Sequence, residues 1–139
     1  MSQKHRNLPL LLLKTRESIM ASFRPILNEH GLTEQQWRVI RVLNDVGPLE
    51  PRELCEMCCI LSPSMAGILK RMQEVDLIQK IPQTDLRRIM IKLTPKAVAL
   101  AQLIMVQNEK AYEKIEERLG TAAFDSLYNA LDEALNKLL

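Results

Sequence analysis

Two stretches decide how this chain is read: Ser62-Pro63-Ser64-Met65-Ala66-Gly67-Ile68-Leu69-Lys70-Arg71-Met72 and, further on, Thr84-Asp85-Leu86-Arg87-Arg88. The first reads as a helix with Ser62 as N-cap and Pro63 at the first helical position, where a missing N–H costs nothing. Met65, Ile68, Leu69 and Met72 recur at helical spacing and predict a buried face. That leaves Ser62, Ser64, Ala66, Gly67, Lys70 and Arg71 for the other side. The second stretch is polar and lies between two strand-like runs, 77–81 and 89–93. It predicts a β-hairpin with a loop longer than two residues.

Working outward, Pro51 fits the first turn of a short helix over 52–59. Before it, Thr33-Glu34-Gln35-Gln36 reads as a capping box opening a helix that carries Trp37, Ile40, Val42 and Leu43 and stops at Gly47-Pro48. A first helical segment spans 8–30, with Leu12, Ile19, Phe23, Ile26 and Leu27 in phase. Pro25 predicts a kink or a junction between two helical pieces, and Gly31 a stop. Beyond the hairpin, Thr94-Pro95 opens the longest helix, 95–119, which Gly120 ends. Thr121 is placed to cap a last helix with Phe124, Leu127, Leu131, Leu135 and Leu138 in one apolar stripe. The fold class is therefore mainly α with a small β-hairpin, and the middle block is a helix-turn-helix followed by a wing.

Such a block fits double-stranded DNA. A major groove accommodates one α-helix, and the unpaired N–H groups at a helix N-terminus favour phosphate. Ser62 and Ser64 add hydroxyl donors, Ala66 and Gly67 permit close approach, and Lys70 and Arg71 add charge. Arg87 and Arg88 at the hairpin tip can reach an adjacent minor groove. Asp85, a carboxylate on such a surface, makes sense as the group that orients a neighbouring guanidinium. The charge distribution agrees: residues 60–96 hold seven Lys or Arg against three Asp or Glu, while 97–139 hold four against seven. Net charge over the 139 residues is only +2, hydrophobic residues make up 47%, and aromatics 4%. This composition favours helices packed on helices.

These residues carry a resemblance to the multiple-antibiotic-resistance-regulator (MarR) family along nearly the whole chain, the wing being closed by Lys92-Leu93-Thr94. Thr15-Arg16-Glu17, Phe23-Arg24-Pro25-Ile26 and Thr33-Glu34-Gln35-Gln36-Trp37-Arg38-Val39-Ile40-Arg41 point, within that family, to repressors of homoprotocatechuate (4-hydroxyphenylacetate) degradation operons. The resemblance implies a single MarR-type domain over 1–139. Its winged helix-turn-helix lobe would span 33–94, with helical dimerisation regions at 1–30 and 95–139. It implies a homodimer on a pseudo-palindromic operator, with Thr84 among the DNA-binding positions. It also implies a pocket between the dimer helices and the DNA-binding lobe for a small aromatic or phenolic acid, whose binding releases the DNA. Arg16, Trp37, Arg41 and Tyr112 are the candidates there: guanidinium for carboxylate, indole for the ring, a phenol for a further hydrogen bond. The competing reading makes Trp37 plain core and pairs Arg16 and Arg41 with Glu17 and Asp45. Asn7 and Pro9 stand where related repressors often carry small hydroxyl residues, which bears on the polar end of the pocket.

Cys55, Cys58 and Cys59 form the one other cluster of reactive residue types. Their i, i+3, i+4 spacing allows a thiol- or metal-sensing regulator on the same scaffold. The alternative is three small hydrophobes packing the helix-turn-helix. With only His5 and His30 elsewhere, no zinc pattern forms. No phosphate-cradling glycine loop and no nucleophile–base pair is visible, so neither an enzyme nor a cofactor is expected. The apolar run 8–13 contains Pro9 and is too short for a membrane span or secretory leader, so a cytoplasmic protein is expected.

Overall fold

The computed structural model describes residues 4–85 and 87–139. Leu86, expected at the hairpin tip, and residues 1–3, expected in the N-terminal dimerisation region, lie outside them. In chain order the elements are α1 (Leu8–Met20), α2 (Arg24–Glu29), α3 (Glu34–Val46), α4 (Pro51–Cys58), α5 (Ser62–Glu74), β1 (Ile78–Pro82), β2 (Ile89–Leu93), α6 (Pro95–Leu119) and α7 (Thr121–Leu138). The chain is mostly helical with one antiparallel hairpin. Its residues group into two compact units, 1–23 with 107–139, and 24–106. The second unit extends past the 33–94 lobe at both ends, taking in α2 and the first part of α6.

Local chemistry sets most boundaries. Thr33 Oγ1 accepts from Gln36 N at 3.1 Å, and Thr33 N donates to Gln36 Oε1 at 3.0 Å, completing the capping box of α3. Thr94 Oγ1 accepts from Ala97 N at 3.1 Å at the head of α6 and donates to the Asp76 carbonyl at 2.7 Å. This one buried hydroxyl thereby joins the start of α6 to the end of α5. Alpha-helix α5 closes in a Schellman turn, with Leu77 N donating to Met72 O and Asp76 N to Gln73 O. The left-handed position there is taken by Asp76, φ 60°, a residue type that tolerates it.

The first helical segment divides over 21–23, and Pro25 marks the junction between its two pieces, sitting in the first turn of α2, where it needs no N–H. Two local expectations need correction. Ser62 is not an N-cap: α5 begins one residue earlier than expected, with Leu61 at the cap and no side-chain capping bond. Nor does Thr121 cap α7. Gly120, φ 85°, both ends α6 and precedes the first turn of α7. Because glycine alone takes that backbone freely, the cap falls on it.

In the second unit, one core joins α2 through the first part of α6. Val39, Ile40, Leu54, Cys58, Met65, Ile68, Leu69, Met72, Ile78, Ile91, Ala101 and Ile104 lie in it, with Trp37 packed partly buried at its edge. The hairpin pairs Ile78 with Leu93, Lys80 with Ile91 and Pro82 with Ile89. Leu49, between α3 and α4, adds a short third rung to Ile91, with bonds of 3.1 and 2.7 Å. In the first unit, the Phe23 and Tyr112 rings pack with centroids 4.8 Å apart and planes tilted by 59°. Helices α1 and α7 bury none of their residues, and large apolar side chains stand exposed on both. Among the described residues no helix is long and apolar enough to cross a membrane.

Candidate nucleic-acid interface

Alpha-helix α5 divides cleanly into two faces. Met65, Ile68, Leu69 and Met72 are buried, while Ser62, Pro63, Ser64, Ala66, Lys70 and Arg71 are exposed and Gly67 half-exposed. With no side chain capping the helix, the N–H groups of its first turn have no intrahelical partner and carry the positive end of the helix dipole. The Arg71 guanidinium folds back over Gly67, where an added Cβ would meet it at 3.5 Å, an ordinary contact. Ser62 Oγ lies 3.8 Å from Cys55 Sγ on α4. Between α4, α5 and the hairpin runs a groove of about 480 Å³, lined by Pro51, Arg52, Cys55, Ser62, Ala66 and Lys80 among others. The turn joining α4 to α5 is made by Cys59 in the left-handed conformation, φ 53° and ψ 48°.

At the hairpin tip Thr84, Asp85, Arg87 and Arg88 are all exposed. Asp85 Oδ1 accepts from Arg87 N at 3.0 Å and stands 3.5 Å from Arg87 Nε. This local turn aims the Arg87 side chain, 93% exposed, away from the protein. Arg88 is held differently: its Nε donates to Glu50 Oε1 at 2.7 Å, and a second donor of the same guanidinium reaches that oxygen. Hydrogen bonding to Glu50, then its charge, raises the Arg88 pKa above the ordinary arginine value. Nothing local in the sequence links Glu50 to Arg88, 38 positions away.

Of the four candidate acid-binding residues, Trp37 and Arg41 share a face of α3 in the second unit. Arg16 and Tyr112 belong to the first. Arg41 Nε bonds Asp45 Oδ2 at 2.9 Å, and Arg16 pairs with Glu17 at 3.5 Å. Both pairs are solvent-exposed, so each contributes little to stability.

The three cysteines differ in kind. Cys59 is exposed, Cys55 half-buried and Cys58 buried. Burial pushes the Cys58 thiol up to about 11, against a smaller lowering by Arg38, whose NH1 donates to the Cys58 carbonyl at 2.8 Å. A thiol so shifted stays protonated and unreactive near neutrality. Mass spectrometry after brief iodoacetamide treatment at pH 8 is expected to show Cys59 alkylated and Cys58 untouched. Because the folded-state value is raised, folding stability should fall as pH rises from about 9 towards about 11. Cys58→Ala should flatten that decline. Among the described residues, no group of three His, Cys, Asp or Glu side chains could hold a metal ion.

Comparison with known proteins accounts for this arrangement. The MarR family model matches residues 30–89. Over 130 residues the chain is 38% identical to the homoprotocatechuate degradative operon repressor of Escherichia coli, covering 93% of this chain and 88% of that protein. Its structure is similar to that of transcriptional regulator PA4135, with a TM-score of 0.92 and 40% identity over 97% of this chain and 99% of that one. It is also similar to NadR in complex with 4-hydroxyphenylacetate, with a TM-score of 0.83 and 38% identity over 96% of each chain. A winged helix-turn-helix shared at this level of identity over almost the full length makes the chain a member of the MarR family, a transcriptional regulator and not an enzyme.

Proposed function

We propose that this protein is a repressor that binds a pseudo-palindromic operator as a homodimer and leaves it when a small aromatic carboxylic acid binds. The observation that carries the DNA reading is the exposed, uncapped head of α5, with Ser62 and Ser64 at its start and Lys70 and Arg71 following, in the same unit as an arginine-tipped hairpin. In this reading α5 enters a major groove, helped by the small Ala66 and Gly67, and Pro63 sets its first turn. Thr84 and Asp85 shape the wing that presents Arg87 to the adjacent minor groove. The exposed leucines of α1 and α7 support the homodimer, since faces this apolar require a cover. Two copies would set their recognition helices roughly 34 Å apart, one turn of DNA.

The effector reading draws on the E. coli relative, an operon repressor by name, and on NadR, whose structure holds 4-hydroxyphenylacetate. Arg41 and Arg16 can each exchange an exposed carboxylate partner for that of the ligand. Trp37 offers a ring face and Tyr112 a hydroxyl. The test is operator binding by fluorescence anisotropy, repeated with hydroxyphenylacetates, hydroxycinnamates and benzoates. At least one acid should release the DNA, and Arg41→Ala should raise the concentration required by about tenfold or more. Failure of every acid to weaken binding would remove the effector reading. Arg87→Ala should weaken operator binding roughly 5- to 100-fold; wild-type affinity in that variant would remove the DNA reading.

A further inference from the structure

The two adjacent arginines of the hairpin tip are held in opposite ways. Arg87 projects outward with Asp85 beside it. Arg88 turns back to Glu50, the residue at the N-cap of α4, and places two donors on one of its carboxylate oxygens. Glu50 is itself fixed, its N–H donating to Glu53 Oε1 at 3.0 Å. The preceding residue, Leu49, is bonded through its backbone to Ile91 of β2. Two consecutive residues therefore fasten the wing to the start of α4, one by main chain and one by side chain.

We propose that Glu50 is a specificity-determining positioning residue, which engages Arg88 so that one arginine is kept off the phosphate backbone while Arg87 is presented from a fixed base. The proposal rests on the DNA-binding reading above. Each Lys or Arg that neutralises a phosphate releases counterions, steepening the dependence of log K on log salt by about 0.9, and it does so on any sequence. Arg88, with two donors already on one Glu50 oxygen, is held back from adding such a term, whereas Arg87, 93% exposed and with only its Nε near Asp85, is not. Glu50 thus limits affinity for DNA at large without touching DNA.

The salt dependence of binding separates this role from a merely structural one. Arg87→Ala should reduce the slope by about 0.9, whereas Arg88→Ala should leave it unchanged. Glu50→Gln frees Arg88, and should steepen the slope by about 0.9 while lowering the ratio of operator to random-duplex affinity several-fold. The double variant Glu50→Gln with Arg88→Ala should return the slope to the wild-type value, because the freed cation is gone. Circular dichroism and melting establish that each variant is folded. A distinct, slowly exchanging Arg88 Nε–H signal in ¹⁵N NMR, lost in Glu50→Gln, reports the pair without DNA. Equal slope losses in Arg87→Ala and Arg88→Ala, or an unchanged slope in Glu50→Gln, would overturn the role of Glu50 alone. Absence of DNA binding by the wild-type protein would overturn the DNA reading and this role with it.

Discussion

Replacing Leu131 and Leu135 of α7 with glutamate is expected to turn the proposed homodimer into monomers and to weaken binding to a two-half-site operator by about 10²- to 10⁴-fold. Both side chains are large and apolar, and 41% and 55% exposed, on a helix that buries none of its residues. Leu8 and Leu10 to Leu13 on α1 present a second such surface. Burying one leucine fully contributes about 1.5–3 kcal/mol, and glutamate at the same place would bring an unpaired charge into the interface. Neither position belongs to the 24–106 unit, so that unit should keep its fold. Binding to a duplex with a single half-site should therefore change little. Sedimentation gives the association state, and anisotropy on one- and two-half-site duplexes gives the affinities. A variant that remained dimeric, or a monomer that held the full operator as tightly as wild type, would contradict the assembly proposed.

The second large effect is expected in the reading head. Leu54→Ala should lower folding stability by about 2–5 kcal/mol, a large share of the roughly 5–15 kcal/mol by which domains are stable. Alpha-helix α4 has eight residues, too few to be helical alone in water. Its buried anchors are Leu54 and Cys58, both fully enclosed. Truncating Leu54 leaves a cavity beneath the helix on which α5 rests. Urea denaturation should show a lower midpoint at unchanged slope. A loss below about 1 kcal/mol would mean that α4 is held by something other than this contact.

Much of the fold was readable because it is encoded over three or four residues. Thr33 with Gln36, Thr94 with Pro95, and the stops at Gly31 and Gly120 are each local signals, and each falls where the chain changes element. The spacing of Met65, Ile68, Leu69 and Met72 likewise identified the inner face of α5. The mismatches are also local, one residue wide: Ser62 and Thr121 suit N-caps by residue type, but Leu61 and Gly120 hold those positions. Preference for a hydroxyl at an N-cap is a tendency, and the turn geometry between α4 and α5 overrode it. What could not be read was non-local. The Glu50–Arg88 pair joins residues 38 apart, and the Arg38–Cys58 contact residues 20 apart. Both depend on the hairpin and α3 being packed against α4, which no window of sequence contains.

The proposed repressor stands on two reading heads held one DNA turn apart. Selection of binding sites from a random duplex library by the purified full-length protein tests this most directly. The account predicts enrichment of an inverted repeat, with half-site centres separated by about 10 base pairs or a multiple of that. Enrichment of a single unrepeated motif, or of no motif, would contradict it.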